Sequence, residues 1–194
     1  MIILASKSAS RRAMLDAAGV EFEAVPAKLD ERAVEARIEG CTPGEIAEAL
    51  SVAKAQAVAS EYRGRLVLGS DSLVVCDGQR FDKPTSRDNA AGHLRFFSGK
   101  VMELHSAAAI VRDDTCEWSA QSLAQLHVRD LSEVFIEFYL DAEWPEIGFC
   151  AGAFRIEAMG PQLFEQIEGD QFTVLGMPLL GVLGALRELG ELPS

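Results

Sequence analysis

Apolar residues along this chain come in short runs whose spacing alternates between a strand-like and a helix-like period, with polar turn signals at the changes. That pattern predicts a mixed α/β chain. Residues 1–5, MIILA, read as a buried strand. Ser8 or Ser10 can cap the helix that follows, with Met14, Leu15 and Ala18 on its apolar stripe and Gly19 as its stop. A second short strand covers 22–26, and a charged stretch, LDERAVEARIEG, comes after it. TPGE at 42–45 then supplies a cap, a proline in the first turn and a capping-box glutamate, which predicts a helix to about residue 60. Its expected apolar face is Ile46, Ala49, Leu50, Ala53 and Ala57, which leaves Lys54 at the face's edge.

RLVLGSDSLVVCDGQRF reads as two strand segments broken at Gly69-Ser70-Asp71-Ser72, with Asp77-Gly78 as a hairpin signal. A helix over 86–97 should stop at Ser98-Gly99. Two long strands, 101–111 and 117–128, can pair through Asp113-Asp114. A helix over 131–140 is expected to carry Phe135, Phe138 and Tyr139 on one face. The glycine-rich GFCAGAFRIEAMG, 148–160, reads as a loop running into a strand, and 178–189 as a closing helix. There is no internal repeat or low-complexity tract.

Composition narrows the class. With 194 residues, 48% of them hydrophobic and 25% charged, the chain has the make-up of one globular domain over residues 1–194. No apolar run is long enough to span a bilayer and MIILA is too short for a signal-peptide core, so the expected location is the cytoplasm, away from membranes. Cys41, Cys76, Cys116 and Cys150 form no CxxC pair and lie near no histidine at ligand spacing; they read as buried apolar fillers. A formal net charge of −12 argues against nucleic acid as a partner, because binding it requires a positive surface. A small phosphorylated ligand stays open if the few cations gather locally.

The place to look for that gathering is SKSASRR, residues 6–12, at a strand-to-helix junction. It is either a solvated, serine-capped turn or an anion cradle of helix-start N–H groups, hydroxyls and a guanidinium. Lys54 either snorkels to solvent or serves a ligand. Asp71 is either a turn former, the reading its neighbours favour, or a carboxylate held at a sheet edge for metal or proton chemistry.

Together several stretches resemble the Maf family of nucleoside triphosphate pyrophosphatases. The family's opening LASxSPRRxxLL pattern lies on LASKSASRRAML, its GADT-like segment on GSDS at 69–72, and its KP turn on Lys83-Pro84. Its AGxYxIQGxG pattern lies on AGAFRIEAMG at 151–160, and a later glycine-containing pattern on IEGDQFTVLGMPLL at 167–180. The resemblance implies an elongated mixed α/β fold, a curved sheet flanked by helices, with two lobes around a nucleotide cleft. It implies triphosphate binding by Ser6, Ser8, Arg11, Lys54 and Lys83, with Asp71 as the catalytic carboxylate and Glu31 as a second acidic group beside it. A divalent metal, Mg, Mn or Co, held by Asp71 with Glu31, is implied as cofactor, and a homodimer is compatible with the family.

The reaction implied is hydrolysis of a nucleoside triphosphate to a monophosphate and pyrophosphate. At three positions that separate branches of the family, the chain carries Ser10, Ser72 and Glu157. Glu157 agrees with the branch acting on 7-methyl-GTP rather than that acting on dTTP and UTP, since a carboxylate accepts hydrogen bonds from the guanine edge. Ser10 departs from the stacking tryptophan of that branch. The alternative reading is a nucleotide-binding regulator of cell division without turnover, which would have no need of Asp71 beside a triphosphate. A third, an RNA-binding module, is weakened by the acidic charge.

Overall fold

Residues 2–4 are the first strand, β1 (Ile2–Leu4), fully buried as its apolar run requires. The computed structural model describes residues 1–193. Ser8 caps α1 (Ala9–Ala17), and its hydroxyl accepts the Arg11 N–H. Met14 and Leu15 are buried while Ala18 is exposed, and Gly19 at φ +69° ends the helix. Then come β2 (Phe22–Ala24), the short α2 (Glu31–Glu35) capped by Asp30, and α3 (Pro43–Ala59) with both halves of the Thr42–Glu45 capping box. The charged 29–40 stretch thus contains a helix that periodicity did not predict. None of the residues of α2 is buried.

β3 (Leu66–Cys76) runs unbroken through Gly69-Ser70-Asp71-Ser72, so the expected break is absent and Asp71 is neither in a turn nor on an edge strand. The hairpin falls at Asp77 and Gly78, both at positive φ, and leads into β4 (Gln79–Phe81), antiparallel to β3. Ser86 caps α4 (Arg87–Phe97) as expected. β5 (Val101–Arg112) and β6 (Thr115–Val128) follow, joined through Asp113 at φ +55°. α5 (Glu133–Glu143) buries Ile136, Tyr139, Leu140 and Glu143; the Phe135 ring neighbours those of Phe138 and Tyr139, so the three share a face as expected, with Phe138 exposed at its edge. The 148–160 segment contains turns, and the strand it was expected to enter, β7 (Phe164–Glu168), begins after a further 3-10 turn. α6 (Gln171–Val174) and α7 (Leu179–Glu188) complete the order.

The seven strands of the described residues form one mixed sheet, in the order β2-β1-β3-β5-β6-β7 with β4 on β3. β1 is parallel to β2 and to β3, in register at Ile3↔Val67 and Leu4↔Leu68. Contacts divide the chain into two compact units. One comprises Met1–Ser72, His105–Leu123 and the chain from Gln171 on; the other comprises Leu73–Leu104 and Ala124–Asp170. In the first unit the sheet is covered on both faces. Ile2, Leu4, Leu66, Leu68, Ala108 and Ile110 pack with α1 and α7, and Ile3, Ala5, Val67 and Val111 pack with α3.

The buried stripe of α3 is Ala47, Leu50, Ser51, Ala55, Val58 and Ala59, rotated from the expected face, of which only Leu50 is buried. The reason is close approach to β3. A Cβ on Gly69 would stand 2.1 Å from the Ser51 carbonyl oxygen and 2.8 Å from the Ala55 nitrogen. Small residues let the helix backbone sit on the strand, and larger side chains are rotated aside. Of the cysteines only Cys76 is buried; Cys41 and Cys116 are exposed, which corrects the reading of all four as core fillers.

Candidate active site

β1 ends at Leu4, with Ala5 N–H still bonded to the Leu68 carbonyl, while β3 continues to Cys76. Residues 69–72 therefore extend past the carboxyl end of a parallel neighbour, the position at which α/β sheets receive ligands. The turn after β1 fills the corner. Ser6 Oγ accepts the Ser8 N–H at 3.1 Å and Ser8 Oγ accepts the Arg11 N–H at 3.3 Å. Each hydroxyl is used as an acceptor, which leaves its own proton to donate. Ser10 lies half-buried in the first turn of α1.

Alternation along β3 sends Ser70 and Ser72 to one face and Asp71 to the other. On the serine face, Arg11 Nε donates to the Gly176 carbonyl at 2.9 Å and Nη2 to Ser72 Oγ at 3.1 Å. Ser70 donates to the Ala107 carbonyl at 2.7 Å and approaches the Gly176 carbonyl at 3.1 Å. Ser72 and Ser106 share a hydrogen bond of 3.0 Å, and Ser106 donates to the Thr173 carbonyl at 2.8 Å. Gly176 has φ +101°, a conformation L side chains rarely adopt, and a Cβ there would lie in tight contact, 3.1 Å from Ser72 Oγ. Burial lowers the Arg11 pKa, opposed by the nearby charges of Asp71 and Glu31, so both carboxylates lie within electrostatic reach of the guanidinium.

On the other face, the close approach at Gly69 delivers Lys54 from α3 to Asp71. Lys54 Nζ is 2.5 Å from Asp71 Oδ1 and 3.0 Å from Glu31 Oε1. Lys54 and Asp71 are mostly buried, with side chains 13% and 11% exposed, and Glu31 is half-exposed at the start of α2. The structure thus brings Glu31, Lys54 and Asp71 into one ion-paired cluster and holds Arg11 and Ser72 beside it, with Ser6 and Ser8 in the turn that carries Arg11. Lys83 and Glu157 belong to the second unit. Both are exposed and within electrostatic reach of Cys150, whose thiol burial pushes up, Glu157 raising it further and Lys83 drawing it down.

Sequence reasoning missed Ser70, Ser106, Thr173 and Gly176. Ser70 and Ser72 stand two apart, and that spacing marks a shared strand face once the strand is kept whole. Nothing local foretells that a carbonyl at 176 receives Arg11. As to a metal, among the described residues no three of His, Cys, Asp and Glu gather at one point. Asp71 and Glu31 nonetheless offer the hard oxygen donors that magnesium-like ions take, one or two carboxylates completed by substrate phosphates, so the residues fit such an ion.

The Maf-like protein family model matches residues 1–189. The chain belongs to this family. Among its Maf-like relatives, "Nucleoside triphosphate pyrophosphatase" of Nitrobacter hamburgensis is 46% identical over 192 residues, spanning 98% of this chain and 95% of its own. "7-methyl-GTP pyrophosphatase" of Rhizobium meliloti is 44% identical over 196 residues, 100% of this chain and 98% of its own. "Nucleoside triphosphate pyrophosphatase 1" of Jannaschia sp. is 43% identical over 191 residues, 97% and 96% respectively.

Proposed function

We propose that this chain hydrolyses a nucleoside triphosphate to the monophosphate and pyrophosphate. The observation that carries the reading is Asp71, a buried carboxylate just past the carboxyl end of β1, with Lys54 on it and Arg11 in electrostatic reach. A binding protein without turnover gains nothing from a carboxylate beside a polyanion. A hydrolase does: the oxygen of water bonds to phosphorus, the bond to the bridging oxygen breaks, pyrophosphate leaves, and the water proton passes to the carboxylate. Pyrophosphate is a good leaving group, so the main demands are neutralised charge and a positioned water.

In this reading Ser6, Ser8, Arg11, Lys54 and Lys83 bind the triphosphate. Asp71 accepts the proton, and Asp71 with Glu31 would hold a divalent ion such as Mg²⁺, Mn²⁺ or Co²⁺. When bound, that ion would supply further charge neutralisation at the phosphates. Glu157, with Ser10 and Ser72, sets the base preference toward guanine-type triphosphates, a reading supported by the family pattern at Glu157 and by the name of the Rhizobium meliloti relative. We take the chain to act as one domain, because β3, β5 and β6 each contribute residues to both units. Its site of action is then the cytoplasm, with a homodimer compatible; among the described residues no helix is long and apolar enough to cross a membrane.

The test is a pyrophosphate-release screen over ordinary and modified nucleoside triphosphates, run with wild type and Asp71→Asn. Turnover is expected on at least one substrate and should fall by ~10²-fold or more in the variant while nucleotide binding persists. Absence of pyrophosphate release from every triphosphate, with binding intact, would favour the regulator.

A further inference from the structure

We propose that Lys54 is a resident counter-ion that keeps a hard divalent cation off the Asp71–Glu31 pair until a triphosphate draws its ammonium away. The inference rests on the hydrolase reading and adds an order of events to it. One ammonium contacts both carboxylates, at 2.5 Å and 3.0 Å, and so stands where a small cation shared by the two would draw its charge compensation. Arg11 supplies a second positive charge that feels the same two carboxylates, and it is fixed in place by the Gly176 carbonyl and Ser72 Oγ. Two cations thus already balance two anions. A divalent ion added to this set would meet like charge on both sides, in a place where Lys54 and Asp71 are largely removed from water and screening is weak.

A triphosphate reverses that balance by bringing several negative charges of its own. Lys54 is the group able to respond. Its four-carbon stem lets Nζ move from carboxylate to phosphate oxygen while its backbone stays on α3. Arg11, held by two hydrogen bonds, does not have that freedom. Departure of Nζ exposes oxygen lone pairs on Asp71 and Glu31 at the moment phosphate oxygens arrive to complete a coordination shell. Glu31 sits on a short helix with no buried residue, so it can follow the incoming charge without disturbing the core.

The test reads metal binding rather than turnover. Mn²⁺ binding to the full chain is measured without nucleotide, from the signal of free Mn²⁺ in electron paramagnetic resonance, for wild type, Lys54→Met and Lys54→Gln. Equilibrium dialysis of wild type with a non-hydrolysable triphosphate, against the same analogue without protein, gives the second arm. Removing the ammonium should tighten Mn²⁺ binding by ~10-fold or more, as expected when a like charge leaves a poorly screened site. Adding Glu31→Gln to either variant should cancel the gain, and wild type should retain Mn²⁺ strongly only with the analogue. The proposal is overturned if Lys54→Met and Lys54→Gln, both folded by circular dichroism, bind Mn²⁺ no better than wild type. It is equally overturned if the gain survives Glu31→Gln, or if wild type takes up Mn²⁺ as tightly without the analogue. Should Lys54→Met misfold, Lys54→Gln, which keeps an uncharged hydrogen-bond donor on the side chain, decides. If no triphosphate is hydrolysed, the hydrolase reading fails on its own assay. If hydrolysis persists and the variants gain no Mn²⁺ affinity, only the counter-ion role fails.

Discussion

Replacing Gly69 by alanine puts a methyl group 2.1 Å from the Ser51 carbonyl oxygen and 2.8 Å from the Ala55 nitrogen. Both are backbone atoms of α3, so no rotamer change relieves the contact; the helix must move off the strand by about an ångström, an overpacking that costs about 1–3 kcal/mol. For a chain of this length that lowers the melting temperature by roughly 2–12 °C, at about 2–4 °C per kcal/mol. The same displacement carries Lys54 away from Asp71, and a misplacement of about 1 Å at a reacting centre costs ~10²-fold in rate. The assay pairs calorimetry with pyrophosphate release. Gly92→Ala is the control, since its Cβ meets nothing within 4 Å on α4 and helix propensity makes it neutral or stabilising by up to ~1 kcal/mol. A Gly69→Ala protein that melts and turns over like wild type would refute the claim that strand–helix contact positions the lysine.

Arg11→Ala should weaken triphosphate binding by ~1.5–3 kcal/mol relative to the matching nucleoside, the worth of a charge-assisted hydrogen bond, as read by calorimetric titration of both ligands; equal losses for both would place Arg11 outside the phosphate site. Glu157→Gln should shift relative kcat/KM from guanine-type triphosphates toward UTP and dTTP with activity retained, and an unaltered wild-type preference for UTP and dTTP would contradict the role. Burial holds His93 below its ordinary pKa of 6.5 against an opposing pull from Asp82, and its buried Nδ1 finds no hydrogen-bond partner among the described residues. The folded state therefore favours the neutral ring, so this contribution to stability is full above about pH 6.5 and is lost as pH falls through that value toward the lower folded pKa. His93→Phe should flatten the decline in urea midpoint between pH 7.5 and 5.5, and an unchanged slope would assign the acid sensitivity elsewhere.

Local chemistry was the most legible part of this chain. Thr42 with Glu45, Ser86 and the Asp77-Gly78 turn act over a few residues, and each does what its type predicts. β3 was misread because Gly69 and Asp71 are poor strand formers taken alone; their reasons for being there lie on other elements, the α3 backbone above Gly69 and Lys54 beside Asp71. The face of α3 was misread for the same cause, since periodicity ranks Ile46 above Ser51 but cannot see that a strand comes too close for the larger side chain. Of the site, the cations and carboxylates were visible as residues that matched a pattern. Gly176 was not visible as an anchor, because its contribution is a carbonyl oxygen whose partner is 165 positions earlier.

That separation has a bearing on how the protein is made. Ser6, Ser8, Arg11, Glu31, Lys54, Asp71 and Ser72 are all translated well before the Gly176 carbonyl that receives the Arg11 Nε–H. A nascent chain stalled before residue 176 carries every one of these groups, yet Arg11 lacks the Gly176 carbonyl and keeps Ser72 as its single anchor. Turnover should therefore switch on only once residue 176 has been made, and fragments that end before Gln171 should be inert rather than partly active.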